Sequence, residues 1–286
     1  MDDSSSNGIG RARRPLWRLA VALAALWLLA GAAAAEPLSL RPQAGLCFER
    51  VLRSTTETTI VKPRSVLTQT LEAGSREVGR VMDVEEGQIR IASKQVQSAL
   101  KVNGQARQGT LPGAAEMKLR VYSPDGQLLR SSDPEVVAGD LRELAIQLPA
   151  GELSRGATWD QELRLATGAD TPPVALQARL AYAGPTKYLE REAHEIRGDL
   201  RLSRQYTPEK LMSTAAAGKF SCTVDAATGL PLRRVLRFKM DQVREDDISK
   251  AHVKAGGKKL GVYVDMSRDE RTTYVGMEPP PALRKP

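Results

Sequence analysis

Histidine and cysteine each occur twice in 286 residues, and phenylalanine and tryptophan three times each. His194 and His252 are far apart and neither neighbours a cysteine. The chain therefore has no HxxxH, HExxH or Cys/His grouping of the kind that holds a transition metal, and no metal or cofactor is predicted. No G-x-S-x-G elbow, Walker loop or Rossmann glycine pattern occurs outside the N-terminal leader, which excludes the hydrolase and nucleotide-binding classes those motifs mark. Cys47 and Cys222 are not part of a CxxC, so thiol redox catalysis is not expected. No run of five like charges is present, and aromatics do not interleave with basic residues as a stacking platform for single strands requires. Nucleic acid is not expected as a partner. Glu190 and Glu192 would share one face of a strand, ~7 Å apart by strand rise. That suits an acid pair for glycoside hydrolysis, and equally a solvated strand face. The expectation is a protein that is not an enzyme.

What the chain does have begins at its N-terminus. Arg11, Arg13, Arg14 and Arg18 precede an apolar run over residues 19–35 that ends in AGAAAA before Glu36-Pro37. A basic stretch, a short apolar core and small residues at a cut site predict a signal peptide over 1–35, cleaved between Ala35 and Glu36. The partner implied is the export machinery, and the destination is the periplasm. The alternative is an uncleaved membrane anchor, for which a 17-residue run lies at the lower limit of length. Leu29-Ala30-Gly31 is followed by Ala32, not the cysteine a lipid anchor needs.

The leader carries four arginines and two aspartates, so the 251 residues after it keep +6 of the +8 net charge. With aromatics at 4%, Leu, Val, Ile and Ala must fill the core. In an oxidising compartment two cysteines most simply form one bridge, Cys47–Cys222. That bridge would set the strand at 46–61 against the strand at 218–225. The alternative is two buried thiols that never meet.

The stretch 218–240, GKFSCTVDAATGLPLRRVLRFKM, shows the architecture best. Phe220, Cys222 and Val224 alternate with polar residues. After DAATGLP, Leu232, Leu236, Phe238 and Met240 share one parity, and Arg233, Arg237 and Lys239 the other. This is a hairpin with one apolar and one charged face. Asp225 can bond its own backbone, Gly229 supplies positive φ and Pro231 opens the return strand.

Elsewhere the pattern predicts a strand at 46–61, strands at 65–72 and 76–84 flanking Ala73-Gly74-Ser75, and a strand at 88–102. Further strands are expected at 118–122, 158–166 and 174–183, then two at 187–204 with a turn at Gly198-Asp199. A last pair is expected at 260–266 and 271–275. Ser123-Pro124-Asp125-Gly126 is a turn. Residues 140–147 have helical spacing, Thr207-Pro208-Glu209 can start one helical turn, and 245–259 is read as a mobile polar loop. The class is all-β dominated with one or two short helices, in one antiparallel domain over 36–278 followed by a Pro-rich tail over 279–286.

The hairpin with its Asp225, Thr228, Gly229 and Pro231 turn, preceded by SPDGQLL and RGATWD, resembles exported half-barrel proteins of the periplasmic lipoprotein-carrier superfamily. The resemblance implies a curved, half-barrel-like antiparallel sheet with a concave apolar face able to hold acyl chains. Two functions follow. One is an exported carrier or sensor of an amphiphile, a lipid or acylated ligand, with Trp159, Leu236, Phe238 and Met240 as candidate ligand-binding residues. The other is a structural or protein-interaction module of the envelope whose sheet face packs on its own core.

Overall fold

The computed structural model describes residues 36–85, 87–107, 116–133, 136, 146–165, 174–278 and 283. The predicted leader, nearly all of the tail and most of the 140–147 helix lie outside the described residues. The fold is that of the unit from Pro37 onward.

Twelve strands form one antiparallel sheet among the described residues, curved and not closed. In chain order they are β1 (Cys47–Lys62), β2 (Ser65–Glu85), β3 (Gln88–Val102), β4 (Gln105–Arg107), β5 (Met117–Tyr122) and β6 (Leu128–Ser131). Then come β7 (Thr158–Leu165), β8 (Val174–Tyr188), β9 (Arg191–Thr207), β10 (Met212–Asp225), β11 (Pro231–Arg244) and β12 (Gly261–Gly276). The order across the sheet is β6-β5-β3-β2-β1-β12-β11-β10-β9-β8-β7, with the short β4 beside β3. The chain starts mid-sheet at β1 and meanders outward to β6. It then resumes at the opposite edge with β7 and meanders back until β12 pairs with β1. Only that last pairing joins strands distant in sequence.

One face of the sheet is buried, here called the inner face. Leu176, Leu180, Ile196, Leu200, Phe220, Leu236 and Phe238 form its main core over β8 to β11. Leu38, Leu148 and Leu153, from segments outside the sheet, pack onto it. Those segments are held by backbone bonds from Leu40 N to the Pro124 carbonyl, Arg41 N to Thr228 and Leu148 N to Asp125. A smaller cluster of Phe48, Val81, Ile89, Ile91 and Leu230 sits over the start of β1.

The three phenylalanines share one device. Phe48 pairs with Gly79, Phe220 with Gly198 and Phe238 with Gly218, each directly across neighbouring strands. A Cβ on Gly79 would lie 2.2 Å from the Phe48 ring, and one on Gly198 would lie 2.4 Å from the Phe220 ring and 2.7 Å from Leu180. Each ring lies over backbone that glycine leaves bare, so a core poor in aromatics uses all its phenylalanines against glycine.

This corrects several expectations. Gly198 was predicted in a turn; it lies inside β9, and the turn falls at Leu189 and Glu190, with φ of 48° and 64°. Glu190 therefore shares no strand face with Glu192. The strand predicted to break at Gly74 runs unbroken from Ser65 to Glu85, and the last predicted pair is the single strand β12. The loop at 245–259 contains helix α1 (Asp247–Lys254), capped by Asp246, which accepts from Ser249 N. The turn at Pro208 is a single 3-10 turn, as expected.

The predicted Cys47–Cys222 bridge is not present; both thiols are free and buried. Strand order explains it. β12 and β11 lie between β1 and β10, so the two strands are three spacings apart, ~14 Å across the sheet, and Cys222 is level with Leu52, five residues along β1 from Cys47. A disulfide spans less than about 7 Å between Cα atoms. They also occupy opposite faces, Cys222 with the inner Phe220 and Cys47 one residue out of step with the inner Phe48. Burial pushes the Cys222 thiol up to about 12, far from a reactive thiolate.

Two outcomes check this architecture. Peptide mapping of oxidised, denatured protein should find both cysteines alkylated without reductant; a linked pair of peptides would overturn the strand order. Gly198→Ala should cost roughly 1–3 kcal/mol in urea unfolding, as expected for overpacking. Gly74→Ala should cost nothing, because its Cβ would meet no atom closer than 3.8 Å.

Candidate functional site

The inner face changes character from one side of the sheet to the other. Over β8 to β11 it is apolar, filled and covered. Beyond β11 it carries a band of charge across five strands. Glu270 on β12, 2% exposed, stands opposite Arg234 of β11, which donates to Oε1 from Nε at 2.9 Å and also from Nη2. Arg268 Nη2 donates to Glu270 Oε2 at 3.1 Å, and Arg50 Nε of β1 lies 3.1 Å from Oε1. Arg50 Nη1 donates to Glu77 Oε2 of β2 at 3.2 Å. Arg120 Nη1 of β5 donates to Glu77 Oε1 at 3.3 Å and to Ser93 Oγ of β3 at 3.0 Å.

Burial alone pushes the Glu270 carboxyl up. Arg234, Arg50 and Arg268 outweigh it and hold the carboxyl at about 2. Glu77 is likewise pushed up by burial and held below its ordinary value by Arg50 and Arg120. A cavity of about 130 Å³ opens on the band, lined by Arg50, Arg120, Arg268, Glu77, Glu270 and Gln95 among others. A tighter cavity of about 60 Å³ lies on its other side, beneath Leu40 and Leu148.

Away from the band the inner face turns apolar again and stays open. Along β2 the inner positions run Glu77, Ser75, Ala73, Leu71, Gln69, Leu67. Leu71 is 37% exposed and Leu67 57%. In register with them lie Ile60 of β1, Met266 and Val264 of β12 and Met240 of β11. Met240 and Met266 pack on the rim of the main core, so this strip continues the core into solvent.

Of the four residues singled out for ligand, Leu236 and Phe238 are buried core side chains, and Met240 is half-buried on the strip. Trp159 is half-buried at edge strand β7, and its indole N–H donates to the Gln147 carbonyl at 2.9 Å. It ties the covering segment to the sheet. The turn residues act together. Asp225 Oδ2 accepts from Thr228 N and Oγ1 at 3.1 and 2.8 Å, and Oδ1 accepts from Arg191. Thr228 Oγ1 bonds the Tyr274 hydroxyl, and Pro231 begins β11. Gly229 has φ of 71°, and a Cβ there would lie 2.2 Å from the Ser39 carbonyl, so the covering segment crosses the turn at close range. Among the described residues no group of three His, Cys, Asp or Glu is placed to hold a metal ion.

The charged band has no signature in the sequence. Its members stand at 50, 77, 120, 234, 268 and 270, and only the strand order brings them together. The one local signal is parity: Arg234 shares the apolar parity of Leu232, Leu236 and Phe238.

No family model and no curated protein matches the chain. Among solved structures, one match is to lipovitellin, in a structure titled for its lipid–protein interactions. Its TM-score is 0.47 at 12% identity, over 85% of this chain and 26% of that one. The chain thus spans about a quarter of that protein's length. A DUF1329 family protein from Desulfovibrio piger matches at TM-score 0.17 and 7% identity, over 79% of this chain and 85% of that one. A putative outer membrane lipoprotein-sorting protein domain from Vibrio parahaemolyticus matches at 0.15 and 9%, with the same two coverages. At these scores and identities the likenesses carry no argument about fold or function.

The band makes a prediction about acid. Glu270 has its carboxyl lowered by folding, so its contribution is present above its ordinary value of 4.5 and is lost as pH falls towards about 2. At pH 7, Glu270→Gln removes the carboxylate that Arg234 and Arg268 share, leaves Arg50 with Glu77, and should cost about 3–5 kcal/mol. Urea unfolding from pH 7 to 2 should show the gap between wild type and variant closing below pH 4.5. A gap that is the same at every pH would mean that Glu270 is not ionised in the fold.

Proposed function

We propose that this is an exported, non-enzymatic protein that holds an amphiphile against the open apolar strip of its inner sheet face. The observation that carries the reading is the strip itself. Leu67 and Leu71 stand exposed on the face that elsewhere forms the core, in register with Ile60, Val264, Met266 and Met240. Thr56, Thr58 and Gln69 lie among these side chains, so the strip is a mixed surface, and exposed leucines and methionines on the face that elsewhere forms the core mark it as a binding surface. Export is supported by the basic and apolar leader at 11–35. The absence of an enzymatic step is supported by the band's geometry. Both of its carboxylates are saturated by guanidiniums and held ionised, which leaves neither an acid nor a free base near neutral pH.

A second reading, a docking surface for another envelope protein, is favoured by a different set of side chains. Met117 and Leu119 of β5 and Leu129 of β6 are exposed beside one edge of the sheet.

Titration with a fluorescent fatty acid tests the first reading. Leu71→Asp should weaken binding by at least about tenfold, since it puts a charge in the apolar contact. The unfolding midpoint should hardly move, as expected for an exposed position. Binding that is unchanged in Leu71→Asp would remove the strip from the site.

A further inference from the structure

We infer that the cavity on the charged band seats the headgroup of the bound amphiphile, and that this headgroup is an anion, a phosphate or a carboxylate. The inference rests on the amphiphile reading above and adds to it the ligand's charge and orientation.

Geometry comes first. The band and the open strip lie on the same face and on the same strands, in the same order on each. On β2 the order is Glu77, Ser75, Ala73, Leu71, Gln69 and Leu67. On β12 it is Glu270 and Arg268, then Met266 and Val264. On β11 it is Arg234, then Leu236, Phe238 and Met240. Six residues separate Glu77 from Leu71, ~20 Å of extended strand, and Leu67 lies ~13 Å beyond. A charged end followed by an open strip of that length, with Leu71, Leu67, Met266, Val264 and Met240 set among Thr56, Thr58 and Gln69, matches the length of a single-chain amphiphile laid along the strands.

Charge comes second. Every arginine of the band already holds a carboxylate, so what the site offers is surplus charge. Four guanidiniums, Arg50, Arg120, Arg234 and Arg268, share the two carboxylates of Glu77 and Glu270. Lys118 also lines the cavity and is engaged with Asp133 at 2.7 Å. An anion in the cavity would meet several charge-assisted donors at once, and guanidinium suits phosphate and carboxylate alike. A cationic headgroup would meet the excess with its own sign.

The third observation is Gln95. Its Nε2 is shielded from water and has no hydrogen-bond partner, and the residue lines this cavity. A buried amide donor left unbonded is costly. An anionic oxygen in the cavity would accept from it. The cavity, about 130 Å³, has room for one such group.

The experiment compares ligands of equal chain length by isothermal calorimetry: dodecyl phosphate, uncharged dodecyl maltoside, and inorganic phosphate alone. The expected result is that dodecyl phosphate binds at least about tenfold tighter than dodecyl maltoside. Arg268→Gln should abolish that preference, while Arg268→Lys, which keeps the charge, should retain most of it. The wild-type comparison stands even if a variant fails to fold. Equal binding of the two detergents would overturn the headgroup site and leave the apolar strip standing. Binding of neither would overturn the amphiphile reading beneath it. Inorganic phosphate bound as tightly as dodecyl phosphate would support an anion site and overturn its assignment to a headgroup.

Discussion

The pairing of β1 with β12 holds this architecture together. Every other neighbour in the sheet follows from a meander of consecutive strands, formed by chain segments close in sequence. The β1–β12 ladder runs from Val61 opposite Gly261 to Cys47 opposite Gly276 and joins residues some two hundred positions apart. Without it the molecule would be two separate sheets, each with one more open edge. Pairing of such long range closes a large loop before any contact rewards it, so this seam carries the largest loop-closure cost among the described pairings.

Hydrophobic patterning fixes the seam's register only weakly. In the middle of β1 the sequence is STTETT, with polar residues on both faces. A strand polar on both faces is prone to slip. The charged band removes that ambiguity. Glu270 on β12 must meet Arg50 across the seam and Arg234 on its other side. A shift by one residue would turn Glu270 outward and leave both guanidiniums buried without it. Phe48 lying over Gly79 fixes the neighbouring β1–β2 ladder in the same way, by shape. Charge and shape thus set the register where the apolar pattern does not.

This explains how much of the molecule its sequence revealed. The hairpin around Asp225 and Gly229 was legible because turn chemistry is local: an Asx bond, a glycine with positive φ, a proline at the start of a strand. The antiparallel class was legible from period-two alternation. Glycine misled where its role was spatial. Gly198 looks like a turn residue next to Asp199, yet it lies mid-strand, making room for the Phe220 ring. Gly74 likewise lies mid-strand. Helix α1 was missed because its mean composition is polar, although Asp246 three residues before Ser249 is an ordinary N-cap. The cysteine bridge failed for a reason no composition shows, since strand order places two strands between the partners. The site was the least legible part. Arg50, Glu77 and Arg120 look like solvated charges in their own strands, and only the fold places them side by side indoors.

Burying six charged groups on the inner face has a consequence for function. Replacing a buried ion network with apolar side chains of similar volume is often neutral or stabilising, so stability alone does not explain this band. Register would be served by one matched pair. Glu270 with Arg50 already meets that need across the seam, and it does nothing to account for Arg268, Glu77 or Arg120. These extra members extend the charge away from the seam to the cavity and towards the strip, where Leu71 and Leu67 face solvent. Apolar residues in their place would make one continuous greasy face from the core to the far end of β2, with nothing to fix where a bound chain begins. The band instead bounds the strip at one end. The strip meets the covered core along its side, where Met240 and Met266 pack, so a ligand's tail has one place to lie and its polar end one place to stop.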